Sequence, residues 1–349
     1  MVLKKRTKSF NYRKLTRVEM NGLYIISSPF QAICAIESIT FYKIIDPVFI
    51  VLHGQQKMVN SKTAKIIEIN GFKNIYELTY STFYDILLKS KNDISTIGLN
   101  YAILDYIFIG NYYSPTQRIF SSLCYNSIKT KLIYMDDGNS TIEAILWGLS
   151  IISFNDIKQF LKLLITKIIN KMKCVNESEF FTIFEISSLK YKISPNSLMF
   201  LKNQIKIKNR SNVYIIGGNF LSIKLLTHED YLSYLQIFLD HIKKNFRDET
   251  IYYCPHRGES DKFINYIANQ YNLKIARSDY SVEYDFATNN VKPIAIYSFG
   301  STASYSLKLL FPDSFSYVIT PKIRNNNLQR SYNEIIKVYK KANIISLDY

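Results

Sequence analysis

Short apolar runs alternate with longer stretches of helical period through both halves of the chain. Near the start, GLYIISSPFQAICAIESITFY reads as strand, turn and helix. DPVFIVLHG and LDYIFIGNYYS are further apolar runs that end in polar turns, and TKLIYMDDGNSTIEAILWG repeats strand, turn and helix. After a basic stretch the pattern restarts with NVYIIGGNF, ETIYYCPHRGES, LKIAR and KPIAIYSFGSTASYSLKLLF. Apolar strands interleaved with helices predict parallel sheets covered on both faces. The two blocks predict an α/β chain of two Rossmann-like domains facing a cleft, over 21–155 and 211–349. A basic arm (1–20) precedes them, and a helical, basic connecting region (156–210) joins them. In open sheets of this kind ligands bind beyond the carboxyl ends of the strands, so the strand-end turns are where chemistry is sought.

A length of 349 residues suits two domains, and 47% hydrophobic residues suffice for sizeable cores. With 44 Lys+Arg against 28 Asp+Glu the net charge is +16. Such an excess favours anionic partners, whether an acidic membrane face or phosphorylated and carboxylated substrates. Zinc-finger spacing, an RRM signature and a basic heptad run are absent, so no nucleic-acid partner is expected. The opening MVLKKRTKSFNYRKLTR is strongly basic, and LKYKISPNSLMFLKNQIKIKNR contains no acid. Cys34, Cys124, Cys174 and Cys254 form no CxxC pair and read as reduced thiols of a cytoplasmic protein. Neither a signal peptide nor a membrane span is expected. FLKLLITKIINKMK predicts an amphipathic helix needing a partner surface: a core, a second copy in a homodimer, or a membrane.

The turns carry the candidate chemistry, each beside a plainer reading. In SFGSTAS, Ser298, Gly300, Ser301 and Thr302 stand at a predicted helix N-terminus, where free N–H groups and the dipole favour phosphate. A simple N-cap explains Ser301 or Thr302 equally well. In YCPHRGES, Pro255, His256 and Arg257 occupy another strand end, where a histidine can stabilise charge developing on a leaving group. Gly217, Gly218 and Asn219 form a third turn, without the GxGxxG of a dinucleotide site. Adjacent carboxylates Asp136 and Asp137 close a strand of the first domain, and either could deprotonate a sugar hydroxyl. A capping box from Ser140 and Glu143 would leave them as turn residues. The pair is not DxD and lacks histidine neighbours, so no metal is expected. Asp230 fits the first turn of a helix capped by Thr227, and could also face the cleft. Ser28 and Gln31, with Tyr112 and Tyr113, are candidates for contacts to sugar hydroxyls and faces.

In this order, YIISSPFQAICAIE, YMDDG, GGN, HEDYL, YCPHR and FGSTAS resemble the bacterial lipooligosaccharide and capsule sialyltransferases of glycosyltransferase family 52, over residues 22 to 312. The resemblance implies a GT-B fold and a metal-independent, inverting transfer without cofactor. Its implied donor is CMP-sialic acid and its acceptor a galactose-terminated surface glycan, with α-2,3 linkage. It further implies that His256 and the Ser301-Thr302 turn stabilise the departing CMP phosphate. The implied base is either the Asp136–Asp137 pair or Asp230. Where the wider group of bacterial sialyltransferases has His-Pro, this chain has Pro255 before His256 and Arg257 after it. The resemblance and the positive charge together imply a bacterial cytoplasmic protein, peripheral on the acidic inner face of the membrane. Two rivals stay open: a relative using another nucleotide-activated sugar such as a hexose, and a non-catalytic, basic membrane-associated assembly protein.

Overall fold

The computed structural model describes residues 20–53, 57–98, 103–125, 130–148, 179–206, 212–289 and 291–347. Seven parallel strands form the first sheet: β1 (Met20–Ile26), β2 (Ile44–His53), β3 (Ile75–Thr79), β4 (Tyr106–Ile109), β5 (Lys131–Met135), β6 (Glu179–Thr182) and β7 (Lys192–Pro195). Their order is β3-β2-β1-β4-β5-β6-β7. Six more, also parallel, form the second: β8 (Val213–Ile216), β9 (Ile251–Cys254), β10 (Lys274–Ile275), β11 (Ala295–Ser298), β12 (Phe315–Ile319) and β13 (Ile345–Leu347). Their order is β10-β9-β8-β11-β12-β13. The chain reverses its direction of sheet growth between β1 and β4, and again between β8 and β11. Such switch points leave a crevice at the strand ends.

The apolar runs become strands because both faces of each sheet are covered. Leu23, Tyr24, Ile25 and Ile26 of β1 are all fully buried, as are Ile107, Phe108 and Ile109 of β4. Each such side chain contributes about 1.5–3 kcal/mol by leaving water. The crossover helices begin where a hydroxyl can accept from the first free N–H groups. Ser28 caps α1 (Pro29–Tyr42), with Pro29 in the first turn, and Ser114 caps α4 (Pro115–Cys124) in the same way. Between them lie α2 (Lys57–Ile69) and α3 (Phe83–Ile97), and α5 (Asn139–Trp147) follows β5. α6 (Met199–Gln204) leads to the second sheet, whose helices are α7 (His228–Asn245), α8 (Asp261–Tyr271), α9 (Val282–Thr288), α10 (Thr302–Leu310) and α11 (Asn326–Lys341).

The span read from sequence as a connecting region contributes β6 and β7 to the first sheet. These strands are four residues each, and β7 closes the sheet edge with Pro195, so the period-2 signal is short and interrupted. The basic arm through residue 19, the apolar lysine-studded segment at 155–175 and Cys174 lie outside the described residues. Cys34, Cys124 and Cys254 are free thiols in the core. Among the described residues no helix is long and apolar enough to cross a membrane.

The two halves share one apolar cluster. It joins Met135, Ile142, Phe184 and Leu198 of the first to Ala303, Tyr305, Tyr332 and Tyr339 of the second. The Phe184 and Tyr305 rings lie 4.8 Å apart, and the Tyr305 hydroxyl accepts from the Glu185 N–H at 2.9 Å. Helix α11 reaches back to the first half, where Ser331 Oγ donates to the Glu143 carboxylate.

Candidate functional site

Asp136 and Asp137, adjacent in sequence, have opposite fates because successive side chains at a strand end point to opposite sides. Asp136 is fully buried. Thr182 Oγ1 donates to it at 2.6 Å and the Ile183 N–H at 2.7 Å. Burial pushes its carboxyl up to about 7, against the pull of those hydrogen bonds. Asp137 is only partly buried and is held from two other strand ends of its sheet. Gln31 Nε2, from the first turn of α1 after β1, donates to its Oδ1 at 2.5 Å, and Asn111 Nδ2, from the turn after β4, donates to its Oδ2. Burial raises the Asp137 carboxyl above the usual range, while Gln31 and the charge of Arg257 pull it down. Arg257 belongs to the second half, so the acidic turn already feels the opposite wall.

That wall is built from β8, β9 and β11. The first helical turn after β11 is capped by Ser301, whose hydroxyl accepts from the Ala303 N–H at 3.3 Å. Gly300 stands before it at φ +78°, a left-handed conformation that a Cβ would strain. A Cβ there would also collide with the Tyr332 hydroxyl, which is buried and has no partner among the described residues. Buried Ser298 accepts from the Gly300 N–H at 3.2 Å. At the end of β9, the Gly258 N–H donates to His256 Nδ1 at 3.0 Å. An accepting Nδ1 leaves the proton of the neutral ring on Nε2. Burial first, and then the Arg257 charge, lower His256 to about 4, so the ring is neutral near pH 7. A neutral Nε2–H is a donor suited to a phosphate oxygen.

The two walls touch at their base. Asn139 Nδ2 donates to the Gly300 carbonyl at 2.8 Å, and its Oδ1 accepts from the Tyr339 hydroxyl at 2.7 Å and from Thr302 Oγ1 at 3.3 Å. A Cβ on Gly138, at φ +71°, would stand 2.8 Å from Thr302 Oγ1. The Gly138–Asn139 turn therefore meets the Gly300–Thr302 turn, with Asp137 one residue away and the Arg257 charge close enough to act on its carboxyl.

Other candidates occupy different positions. Asp230 completes a capping box with Thr227, accepting from the Thr227 N–H at 3.2 Å and hydroxyl at 2.8 Å. The Thr227 hydroxyl and N–H hold its exposed carboxyl below the usual range. Ser28 caps α1, accepting from the Gln31 N–H at 3.3 Å. Gln31 is buried, with its Oε1 accepting from the Ser27 N–H at 2.8 Å, so it orients Asp137. Tyr112 packs under Arg118, whose guanidinium is 4.6 Å from the ring, and Tyr113 donates to the Gly148 carbonyl at 2.9 Å. Both hydroxyls are engaged inside their own half. The Ser140–Glu143 capping box does not form, because Gly138 is the N-cap and Glu143 is taken by Ser331. Pro255 carries the chain into the His256 turn, and Asn219 closes against Gly258, where any Cβ would collide with its side-chain oxygen. Among the described residues no group of three His, Cys, Asp or Glu could hold a metal ion.

Asn111, Gln117, Asn139, Glu259 and Tyr339 hold these turns in place, and the sequence alone does not mark them. Asn111 lies in the GNYYS turn and Glu259 three residues after His256, but Asn111 meets Asp137 and Glu259 meets Tyr231 only through the fold. Gln117 Nε2 bonds Gln31 Oε1 at 3.1 Å, 86 positions away.

No protein-family model matches the chain, and no curated protein matches it. Solved structures do. The α/β-galactoside α-2,3-sialyltransferase of Photobacterium phosphoreum superposes with TM-score 0.51 at 13% identity, covering 95% of this chain and 99% of that one. The UDP-GlcNAc 2-epimerase of Methanocaldococcus jannaschii gives 0.51 at 11% identity, covering 91% and 92%. The Neisseria meningitidis UDP-GlcNAc 2-epimerase bound to UDP-GlcNAc gives 0.50 at 13%, covering 93% of each chain. The fold is of GT-B type: two parallel-sheet α/β domains whose strand ends face one another.

Proposed function

We propose that this chain is a glycosyltransferase that moves a sialyl residue from CMP-sialic acid to a sugar hydroxyl, with galactose-terminated surface glycan as acceptor. The observation that carries the reading is the pairing across the crevice. An oriented, partly buried carboxylate stands on one wall, and a neutral imidazole and an N-terminal helix turn stand on the other. Asp137 takes the proton of the attacking hydroxyl; Gln31 and Asn111 aim its oxygens, and burial raises its basicity toward the working pH. The sialyl carbon is tertiary, so its bond to the phosphate breaks through a cation-like state and negative charge grows on the departing CMP. His256 Nε2–H and the free N–H groups of the α10 N-terminus stabilise that charge, with Arg257 at the rim. In this reading Asp136, whose burial favours the protonated form, holds the turn, while Asp230 serves its helix. The net charge of +16 draws in an anionic donor and suits an acidic membrane face.

The likeness to UDP-GlcNAc 2-epimerases favours a second reading, a site for a UDP-sugar. Thermal shift separates the two. CMP is expected to raise the melting temperature at concentrations where UDP and GDP do not, and stabilisation by UDP alone would replace the first reading with the second.

A further inference from the structure

Glu259 stands where three elements of the second half meet. Its Oε2 accepts from the His256 backbone N–H at 2.6 Å. Its Oε1 accepts from the Tyr253 hydroxyl at 2.5 Å and the Tyr231 hydroxyl at 2.9 Å, and the two hydroxyls are 2.7 Å apart. The Tyr231 oxygen accepts in turn from the Gly218 N–H at 3.2 Å. Both tyrosines are buried, and burial holds their hydroxyls protonated, far above the ordinary range. A Cβ on Gly217 would collide with the Glu259 carboxylate, so glycine lets the turn after β8 rest on it.

Local structure does not account for this carboxylate. The cap of α8 is Ser260, which accepts from the Phe263 N–H at 3.3 Å. The turn itself closes through backbone, with the Glu259 N–H donating to the His256 carbonyl at 2.9 Å. The side chain instead connects β9, β8 and the first turn of α7 beneath the crevice.

The geometry assigns Glu259 as a positioning residue. Its carboxylate fixes the His256 backbone, and through Tyr231 the Gly217–Gly218 turn, so that the imidazole keeps Nδ1 on the Gly258 N–H and presents Nε2–H to the nucleotide phosphate. The role toward phosphate rests on the proposed function; the hold on the ring's tautomer does not. Without the carboxylate the His256 N–H loses its acceptor, the turn loosens, and Nδ1 loses its donor.

The test uses the full chain with 15N-labelled histidine and the variants Glu259→Ala and Glu259→Gln. Long-range 1H–15N spectra without nucleotide report which ring nitrogen of His256 carries the proton, and kcat and KM for CMP-sialic acid are measured in parallel. The wild type is expected to show the Nε2–H form alone. Glu259→Ala is expected to mix the tautomers and lower kcat about 10- to 100-fold, as supporting-residue substitutions do elsewhere. Glu259→Gln, which keeps an acceptor for the His256 N–H, is expected to recover much of that loss. A single Nε2–H tautomer and wild-type kcat in folded Glu259→Ala would overturn the assignment. Should Glu259→Ala fail to fold, Glu259→Gln decides. Its His256 amide proton is expected to move upfield, because a neutral carbonyl accepts more weakly than a carboxylate, and an unmoved signal overturns the assignment. Wild-type protein that transfers nothing from CMP-sialic acid, while its His256 tautomer still responds to Glu259, overturns the proposed function and upholds the positioning role.

Discussion

The side-chain amide of Asn139 donates to the carbonyl of Gly300 at 2.8 Å, across 161 positions of sequence. This bond ties the acidic turn of the first sheet to the Gly300–Thr302 turn of the second. Asn139, at the N-terminus of α5, thus helps to fix the distance between the Asp137 turn and the Gly300–Thr302 turn.

Asn139→Ala is expected to leave the Gly300 carbonyl and the Tyr339 hydroxyl with only each other, at 3.4 Å. Losing a neutral hydrogen bond whose groups keep a weaker partner costs about 0.5–1.5 kcal/mol. Each kcal/mol lowers the melting temperature by roughly 1–2 °C in a chain of 349 residues. Calorimetry on wild type and variant checks this, and an unchanged melting temperature would show that the turns are held by other contacts.

Removing the proposed base separates the acids. Asp137→Asn keeps the shape but cannot take a proton, and is expected to lower kcat at least ~100-fold. Asp230→Asn is expected to change kcat by less than about threefold, because its carboxylate is engaged by Thr227. Wild-type kcat/KM should fall as pH drops through the raised Asp137 value, which puts the acid limb above the ordinary carboxylate range. Comparable losses in both variants would remove Asp137 from its role.

Asp136 gives a pH dependence of stability with an unusual sign. Its folded value, about 7, is above its unfolded one, so folding favours the protonated form. The stabilisation is complete below the unfolded value and is lost as pH rises toward the folded one. Stability should thus fall by roughly 1.4 kcal/mol per pH unit between about 4 and 7 from this group. Asp136→Asn, an uncharged isostere able to pair with Thr182 and Ile183, is expected to flatten that slope in denaturant titrations across the same range. A slope unaltered by the substitution would show that Asp136 is ionised in the fold.

His256→Ala is expected to lower transfer about 10²- to 10³-fold, as loss of one charge-stabilising donor does, with the melting temperature little changed. Since the free ring titrates near 4, no inflection is expected at an ordinary histidine value of about 6.5 in kcat/KM. An inflection there that vanishes in His256→Ala would mean that the protonated ring is the active form.

Much of the fold is legible in the sequence. Runs such as LYII and YIFI are apolar on both faces, which only a covered parallel sheet uses fully, and the polar turns after them line the crevice. The capping roles of Ser301 and of Thr227 with Asp230 followed from local chemistry alone. What sequence could not convey depends on contacts between distant positions. Gln31 read as a sugar ligand, yet its amide is turned onto Asp137, 106 positions away. Glu143 read as half of a capping box, yet it pairs with Ser331 on a helix of the other half. Asp136 and Asp137 were indistinguishable as letters, and only the direction of each side chain at the end of β5 separates a core group from a crevice group.

The most direct measurement is product analysis. Purified protein is incubated with CMP-sialic acid and a lactose-type acceptor without added metal, and the products are identified by NMR. Release of CMP together with a sialylated galactose of inverted anomeric configuration is the expected result. No transfer from CMP-sialic acid, alongside turnover of a UDP-sugar by the same preparation, would contradict it.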